Sequence, residues 1–178
     1  AEAFSNKLTR AAGIVTTSSS GAVGITSTII TGISTVGVAV SDLVVNTNFI
    51  AGTKVTEIGA SSVTVDRTST NTTASTSQSV SFLGPTTAYT SAAATKSVLI
   101  GGTFANNTDN SVNLTVEVRD QSTAVSVAIA SKIPVPAGSS FVISDVGKTL
   151  LEATDEVVVY CDSANAIDAN LSVLTGVN

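Results

Sequence analysis

The sequence predicts an all-β protein: a small N-terminal β-barrel-like domain followed by an antiparallel β-sandwich. Three observations predict it. Charged residues are only 12% of the chain while 43% are hydrophobic, and Ser, Thr, Asn, Val and Ala fill the difference. Such a chain can bury a core, and its β-branched residues favour pleated strands. Apolar and polar residues alternate with a period of two, most cleanly where Val112, Leu114, Val116 and Val118 interleave with Asn113, Thr115 and Glu117. Gly, Pro, Asn and Asp punctuate these runs about every ten residues, the spacing of a sandwich.

Taken in order, residues 1–12 are expected to form an N-terminal arm or a helix of one or two turns, because Phe4 and Leu8 stand i,i+4 and are flanked by Lys7 and Arg10. Residues 13–84 form the small β domain. Ile14-Val15 and Ile25–Ile30 read as strands with a turn at TSSSGA between them. Asp42–Val45 is a short strand, 46–52 a loop, and Thr53–Ile58 and Val63–Val65 alternate, with a small bulge placing Val55 and Ile58 near one face. The polar tract 67–81 (RTSTNTTASTSQSVS) carries no core-forming run and is expected to be a linker or a loop reaching a neighbour.

Gly84-Pro85 marks a boundary, since proline fixes its own φ and restricts the residue before it. Residues 85–94 are expected to be a linker and 95–178 the sandwich. Ser97–Phe104 is a strand kinked at Gly101-Gly102. Strands then follow at Val112–Val118, Val125–Ile129, Phe141–Ile143, Leu150-Leu151 after Gly147, Val157–Cys161 and Ala169–Val173. The densest apolar stretch runs from Lys132 to Thr175.

The chemistry on offer is narrow. The chain has no histidine, which excludes a Ser–His–Asp triad, a Cys–His pair and a His-ligated metal. Carboxylates sit at turns and strand ends. Glu152, Asp155 and Glu156 cluster before an apolar strand, where charge guards a strand edge more readily than it holds calcium. No glycine pattern forms a phosphate loop, and no cofactor is expected. The single cysteine, Cys161, reads as a small buried hydrophobe. A net charge of −5 offers no basic stripe for nucleic acid, and no apolar run is long enough for a membrane helix. Aromatics are 4% and fall mostly at core positions, which disfavours carbohydrate. The N-terminus lacks a signal-peptide core and starts with Ala, as expected after removal of an initiator Met in a cytosolic product.

Two segments resemble known phage modules. Asn46–Asp66 (NTNFIAGTKVTEIGASSVTVD) resembles a short β motif of tailed-phage virion proteins, carried by Ile50, Ala51, Gly52, Thr53, Val55, Ile58, Gly59, Val63 and Val65. Ser97–Leu174 resembles a β-sandwich module of structural proteins from phages infecting marine cyanobacteria. It is carried by Ile133–Phe141 (IPVPAGSSF), Leu151–Tyr160 (LEATDEVVVY) and Asp168–Leu174 (DANLSVL). In that module the fourth LEATD position is commonly Gly; here it is Thr154. The resemblance implies a non-enzymatic virion structural protein, assembled in the host cytoplasm as an oligomer on the head surface or at the head–tail neck. Its partners would be further copies and other virion proteins (capsid, portal, neck or tail). The alternative is a tail or fibre module that binds a receptor or carbohydrate. The residues expected to make contacts are Phe4, Leu8 and Arg10 on the arm, and Arg67, Thr70 and Asn71 on the polar tract.

Overall fold

The computed structural model describes residues 1–144 and 148–177. Among them there is no helix, and the turn expected at Gly147 lies outside the described residues. The strands are β1 (Ala3–Ala12), β2 (Ile14–Val23), β3 (Ile29–Thr31), β4 (Leu43–Val45), β5 (Val55–Ile58), β6 (Ser62–Val65), β7 (Ser75–Gly84), β8 (Thr86–Thr90), β9 (Lys96–Asn106), β10 (Val112–Asp120), β11 (Val125–Val135), β12 (Ser140–Ile143), β13 (Thr149–Leu151), β14 (Glu156–Cys161) and β15 (Ile167–Val177). The chain divides into two compact units, Val15–Gly84 and the pair of segments Ala1–Ile14 and Pro85–Asn178.

The first unit is one six-stranded sheet in the order β4-β7-β2-β3-β6-β5. Its two ends meet. Leu43 bridges Lys54, the Val44 N–H donates to the Thr53 carbonyl at 2.8 Å, and the Val55 N–H donates to the Asp42 carbonyl at 3.0 Å. The sheet therefore curls into a small barrel, its core filled by Val23, Ile30, Val44, Phe49, Val63, Val80 and Phe82 among others. A bulge between Val55 and Glu57 sets both Val55 and Ile58 opposite core-facing valines, Val65 and Val63.

Two expectations are corrected in this unit. The turn placed at TSSSGA lies inside β2, which runs unbroken through it; the chain reverses later, between Val23 and Ile29. Gly21 fits a strand there because β7 passes so closely that a Cβ would lie 2.7 Å from the Val80 Cγ2. The tract 67–81 is neither linker nor projecting loop. Its second half is β7, an interior strand hydrogen-bonded to β4 and β2. Only its last residues, Val80 and Phe82–Gly84, are buried, so the Ser75–Ser79 half needs no apolar residue to be a strand. Its first half is held by Ser69, which is buried: the Ser69 hydroxyl donates to the Gly24 carbonyl at 2.9 Å and accepts the Ser27 N–H at 3.0 Å.

The second unit is a sandwich of two sheets. One has the order β1-β15-β9-β12, with β13 also paired to β9; the other has the order β11-β10-β14-β8. Leu99, Phe104, Leu151, Ile167, Leu171 and Val173 from the first meet Val112, Leu114, Val116, Val157, Val159 and Cys161 from the second. Gly102 lets β15 pack onto β9, since a Cβ there would lie 2.7 Å from the Leu171 Cδ2. The register shift between Ser172 and Val173 is the irregularity expected at Gly101-Gly102. Asn106 ties the edge together. Its Nδ2 donates to the carbonyls of Asn110 (2.7 Å) and Val135 (2.9 Å), and its Oδ1 accepts the Thr108 N–H at 2.9 Å.

The N-terminal segment is a strand, not a helix. β1 pairs antiparallel with β15 from Ala3 opposite Thr175 to Ala12 opposite Ile167. The i,i+4 spacing of Phe4 and Leu8 misleads because it sets residues on one face of a strand as well as of a helix. Within 85–94, expected as a linker, Thr86–Thr90 is β8 and pairs with β14. At the fourth position of the LEATD element, commonly Gly in the module it resembles, Thr154 takes the left-handed conformation at φ 71°. Asp155, buried in that turn, fixes it by accepting the Glu152 N–H at 2.9 Å and the Gln121 N–H at 3.2 Å.

Candidate assembly surface

The outer face of the sheet β1-β15-β9-β12 is built by strand register. On β1, Ser5, Lys7 and Thr9 face Val173, Leu171 and Ala169, which are core residues of β15. Phe4, Asn6, Leu8 and Arg10 therefore project outward, and Phe4 and Leu8 are each 76% exposed. Phe4 stands opposite Leu174, Leu174 opposite Val98, and Val98 opposite Leu150. These residues form an apolar row across four strands. Its ends are open, with Leu150 51% exposed, and its middle is half-buried. A second row runs from Leu8 through Asn170 and Thr103 to Val142, apolar at both ends and polar between.

The outer face of a sandwich ordinarily alternates to polar residues. Single exposed apolar side chains are common, but a contiguous set marks a contact surface. Phe4 is also singular among the five Phe and two Tyr. Phe49, Phe82, Phe104 and Tyr160 are buried. Tyr89 and Phe141 are half-buried against the core, and the Tyr89 hydroxyl is 2.8 Å from the Ser97 hydroxyl. Phe4 is thus the exposed aromatic anchor, the kind of residue that dominates protein contacts.

The edge of β1 is less inviting than its face. Lys7 turns inward and sets its ammonium 5.8 Å from the centroid of the Tyr89 ring. An inward-pointing cation on an edge strand discourages a further strand from pairing there. Beside Leu8, a shallow depression lined by Arg10, Thr103, Ala105, Asp168 and Asn170 places a guanidinium and a carboxylate at its rim. Asp168 Oδ1 accepts the Ala11 N–H at 2.8 Å.

Of the residues expected to make contacts, Phe4, Leu8 and Arg10 thus come together on one face. Arg67, Thr70 and Asn71 lie in the barrel unit and bond within it. Arg67 Nη1 donates to the Ala51 carbonyl at 3.0 Å, the Thr70 N–H to the Asn48 carbonyl at 2.8 Å, and Asn71 Nδ2 to the Thr73 carbonyl at 2.7 Å. Leu174, Val98, Leu150 and Val142 were not singled out from the sequence. The signal for three of them is the apolar doublet: in Val98-Leu99, Leu150-Leu151 and Val173-Leu174 one residue fills the core and its neighbour must face outward.

Burial pushes the Cys161 thiol above its ordinary value, the behaviour of an inert core cysteine. Among the described residues no three or more His, Cys, Asp or Glu side chains stand together as a metal site. A polar groove in the barrel unit, lined by Val45, Asn46, Thr47, Ser77, Gln78, Ser79 and Ser81, includes no aromatic platform for a sugar.

No protein-family model matches the chain, and no curated protein matches it. Among solved structures, it is similar to a chain in the structure of infectious bursal disease virus strain Gx, with 13% identity and a TM-score of 0.33. That match covers 92% of this chain and 33% of the other. It is also similar to a chain from strain Gt, with 8% identity and a TM-score of 0.27, covering 98% of this chain and 58% of the other. The chain therefore spans between a third and three fifths of the chains it matches. Likeness of this degree assigns no role to it.

Proposed function

We propose that this chain is a non-enzymatic structural protein of a tailed-phage particle, assembling as an oligomer on the head surface or at the head–tail neck and stabilising the particle. The observation that carries the assembly part is the exposed row Phe4, Leu174, Val98 and Leu150 on the outer face of the sandwich. Covering that row removes apolar surface from water at roughly 25 cal/mol per Å², and Phe4 provides the anchor. The virion part rests on the resemblance of Asn46–Asp66 and Ser97–Leu174 to phage structural modules. The partners are further copies of the chain and neighbouring capsid, portal, neck or tail proteins. A receptor- or carbohydrate-binding tail module fits less well, because the aromatics other than Phe4 are packed into the chain's own cores or held half-buried against them.

The test is quantitative mass spectrometry of purified particles combined with sedimentation of the isolated protein. Expected are a fixed copy number per particle and self-association that rises with concentration. A protein absent from particles and monomeric at every concentration overturns the proposal.

A further inference from the structure

The outer face of the sheet β1-β15-β9-β12 has a symmetry of its own. Four strand positions cross it: β1, β15, β9, and a fourth shared by β12 and β13, which both pair with β9. A line parallel to the strands, between β15 and β9, divides it in half. In the row Phe4, Leu174, Val98, Leu150 every position is apolar. In the row Leu8, Asn170, Thr103, Val142 the outer pair is apolar and the inner pair polar. Each row therefore reads alike from either end. Exposure follows the same pattern: Phe4 and Leu8 are 76% exposed on one flank, and Leu150 and Val142 are 51% and 59% exposed on the other. The bulge that adds Ile100 to β9 lies between the two rows and leaves the register of each intact. An isologous contact requires such a pattern, because one patch serves both copies.

We propose that two copies pack these faces together about a two-fold axis that runs parallel to the strands, between β15 and β9. The axis sets β1 of each copy over the β12–β13 flank of the other, and β15 over β9. Phe4 then meets Leu150, Leu8 meets Val142, and Asn170 meets Thr103. Apolar ends cover apolar ends, and polar groups meet polar groups. An axis across the strands would instead stack one row on the other and press Asn170 onto Leu174, burying an amide without a partner. The area suffices. Three of the strands run 10 or 11 residues. At about 3.4 Å per residue and about 4.8 Å between strands, the face covers roughly 600 Å². Two such faces exceed the roughly 1,000 Å² that a specific interface needs. The net charge of −5 opposes self-association, but this face carries little of it. Arg10 shares the depression beside Leu8 with Asp168, and Lys96 holds Glu152 at 3.1 Å. The one like-charge approach, Glu2 toward Glu152 of the other copy, falls at the rim. The inference deepens the assembly reading and rests on it.

Cross-linking of cysteine variants of the full-length protein tests the axis, with a bismaleimide short enough to join only facing side chains. Cys161 is buried and leaves the wild type as an unlinked background. A mixture of Phe4→Cys and Leu150→Cys chains keeps one native Phe4–Leu150 contact and is expected to link. Phe4→Cys mixed with Leu8→Cys, the pair that the crosswise axis would bring together, should link at least tenfold less. So should Phe4→Cys alone, whose two thiols lie on opposite flanks. Val142→Lys, at an exposed position, should fold as the wild type does and weaken the dimer about tenfold in sedimentation, because it buries an unpaired charge. No link between Phe4→Cys and Leu150→Cys, or equal links in all three samples, overturns the dimer. If in that case the wild type is present in particles, the assembly reading survives with another virion protein on this face. If the wild type is monomeric at every concentration and absent from particles, both fall.

Discussion

β1 and β11 are both free edges of one sandwich, and they are guarded in different ways. β1 carries two of the most exposed apolar side chains in the protein, Phe4 and Leu8, yet Lys7 turned toward Tyr89 defends its edge. β11 is guarded in its backbone instead: a register shift leaves Ile129 without a partner on β10, Lys132 adopts φ 50° and Pro134 has no N–H to offer. The difference teaches that exposed apolar content does not decide how a strand engages a partner. The guard does: one inward lysine leaves β1 a face to offer, whereas irregular backbone and a proline interrupt the ladder of β11.

The largest effect sharpens the distinction between face and core that underlies this. Leu151 is fully buried and its neighbour Leu150 faces out. Leu151→Ala should cost about 3 kcal/mol in a denaturant melt, whereas Leu150→Ala should stay within about 0.5 kcal/mol while weakening association. If both cost the same, the outer row is structural and the surface reading fails. Next comes the guard itself. Lys7→Val should open the edge of β1 to a further strand, raising the rate of concentration-dependent association about tenfold in light scattering, a factor equivalent to about 1.4 kcal/mol. An unchanged rate would mean that the lysine guards nothing.

Much of this could be read from the sequence, and the failures are physically specific. The alternation in Val112–Val118 located β10, and the residues of the LEATD run located β14 and its turn. The N-terminal strand was missed because a spacing of four fits both helical and strand periods. β7 was missed because a strand whose outer half faces water can be written entirely in Ser, Thr and Gln. The row on the outer face was legible only as doublets, and a doublet acquires meaning once a sandwich, with one core between two sheets, is known. Pairing register, which aligns Phe4, Leu174, Val98 and Leu150, depends on contacts far apart in sequence and could not be read locally.

Smaller effects concern the turns that hold the two sheets in register. Thr154 is a β-branched residue at φ 71°, so Thr154→Gly should stabilise the protein by about 1 kcal/mol; a loss would show that its side chain is needed there. At the β10–β11 turn, hydrogen bonds from Ser122 and Thr123 hold the Asp120 carboxyl down at about 2, against an ordinary value of 3.8. A carboxylate depressed on folding stabilises when ionised, so its contribution is complete above pH 3.8 and disappears as pH falls through about 2. Asp120→Asn should therefore flatten the acid limb of the stability profile in that window and leave neutral pH nearly unchanged in shape. An identical acid limb would mean that the turn does not feel this charge.

The most direct measurement is a competition. Particles are assembled with equal amounts of wild-type chain and a Phe4→Ser/Leu150→Ser chain, and the two are counted by isotope-labelled mass spectrometry. Both positions are exposed, so the variant should fold as the wild type does, which its melt and sedimentation at low concentration will check. If the outer row is the docking face, the variant is excluded from particles at least tenfold. Incorporation in equal numbers would contradict it.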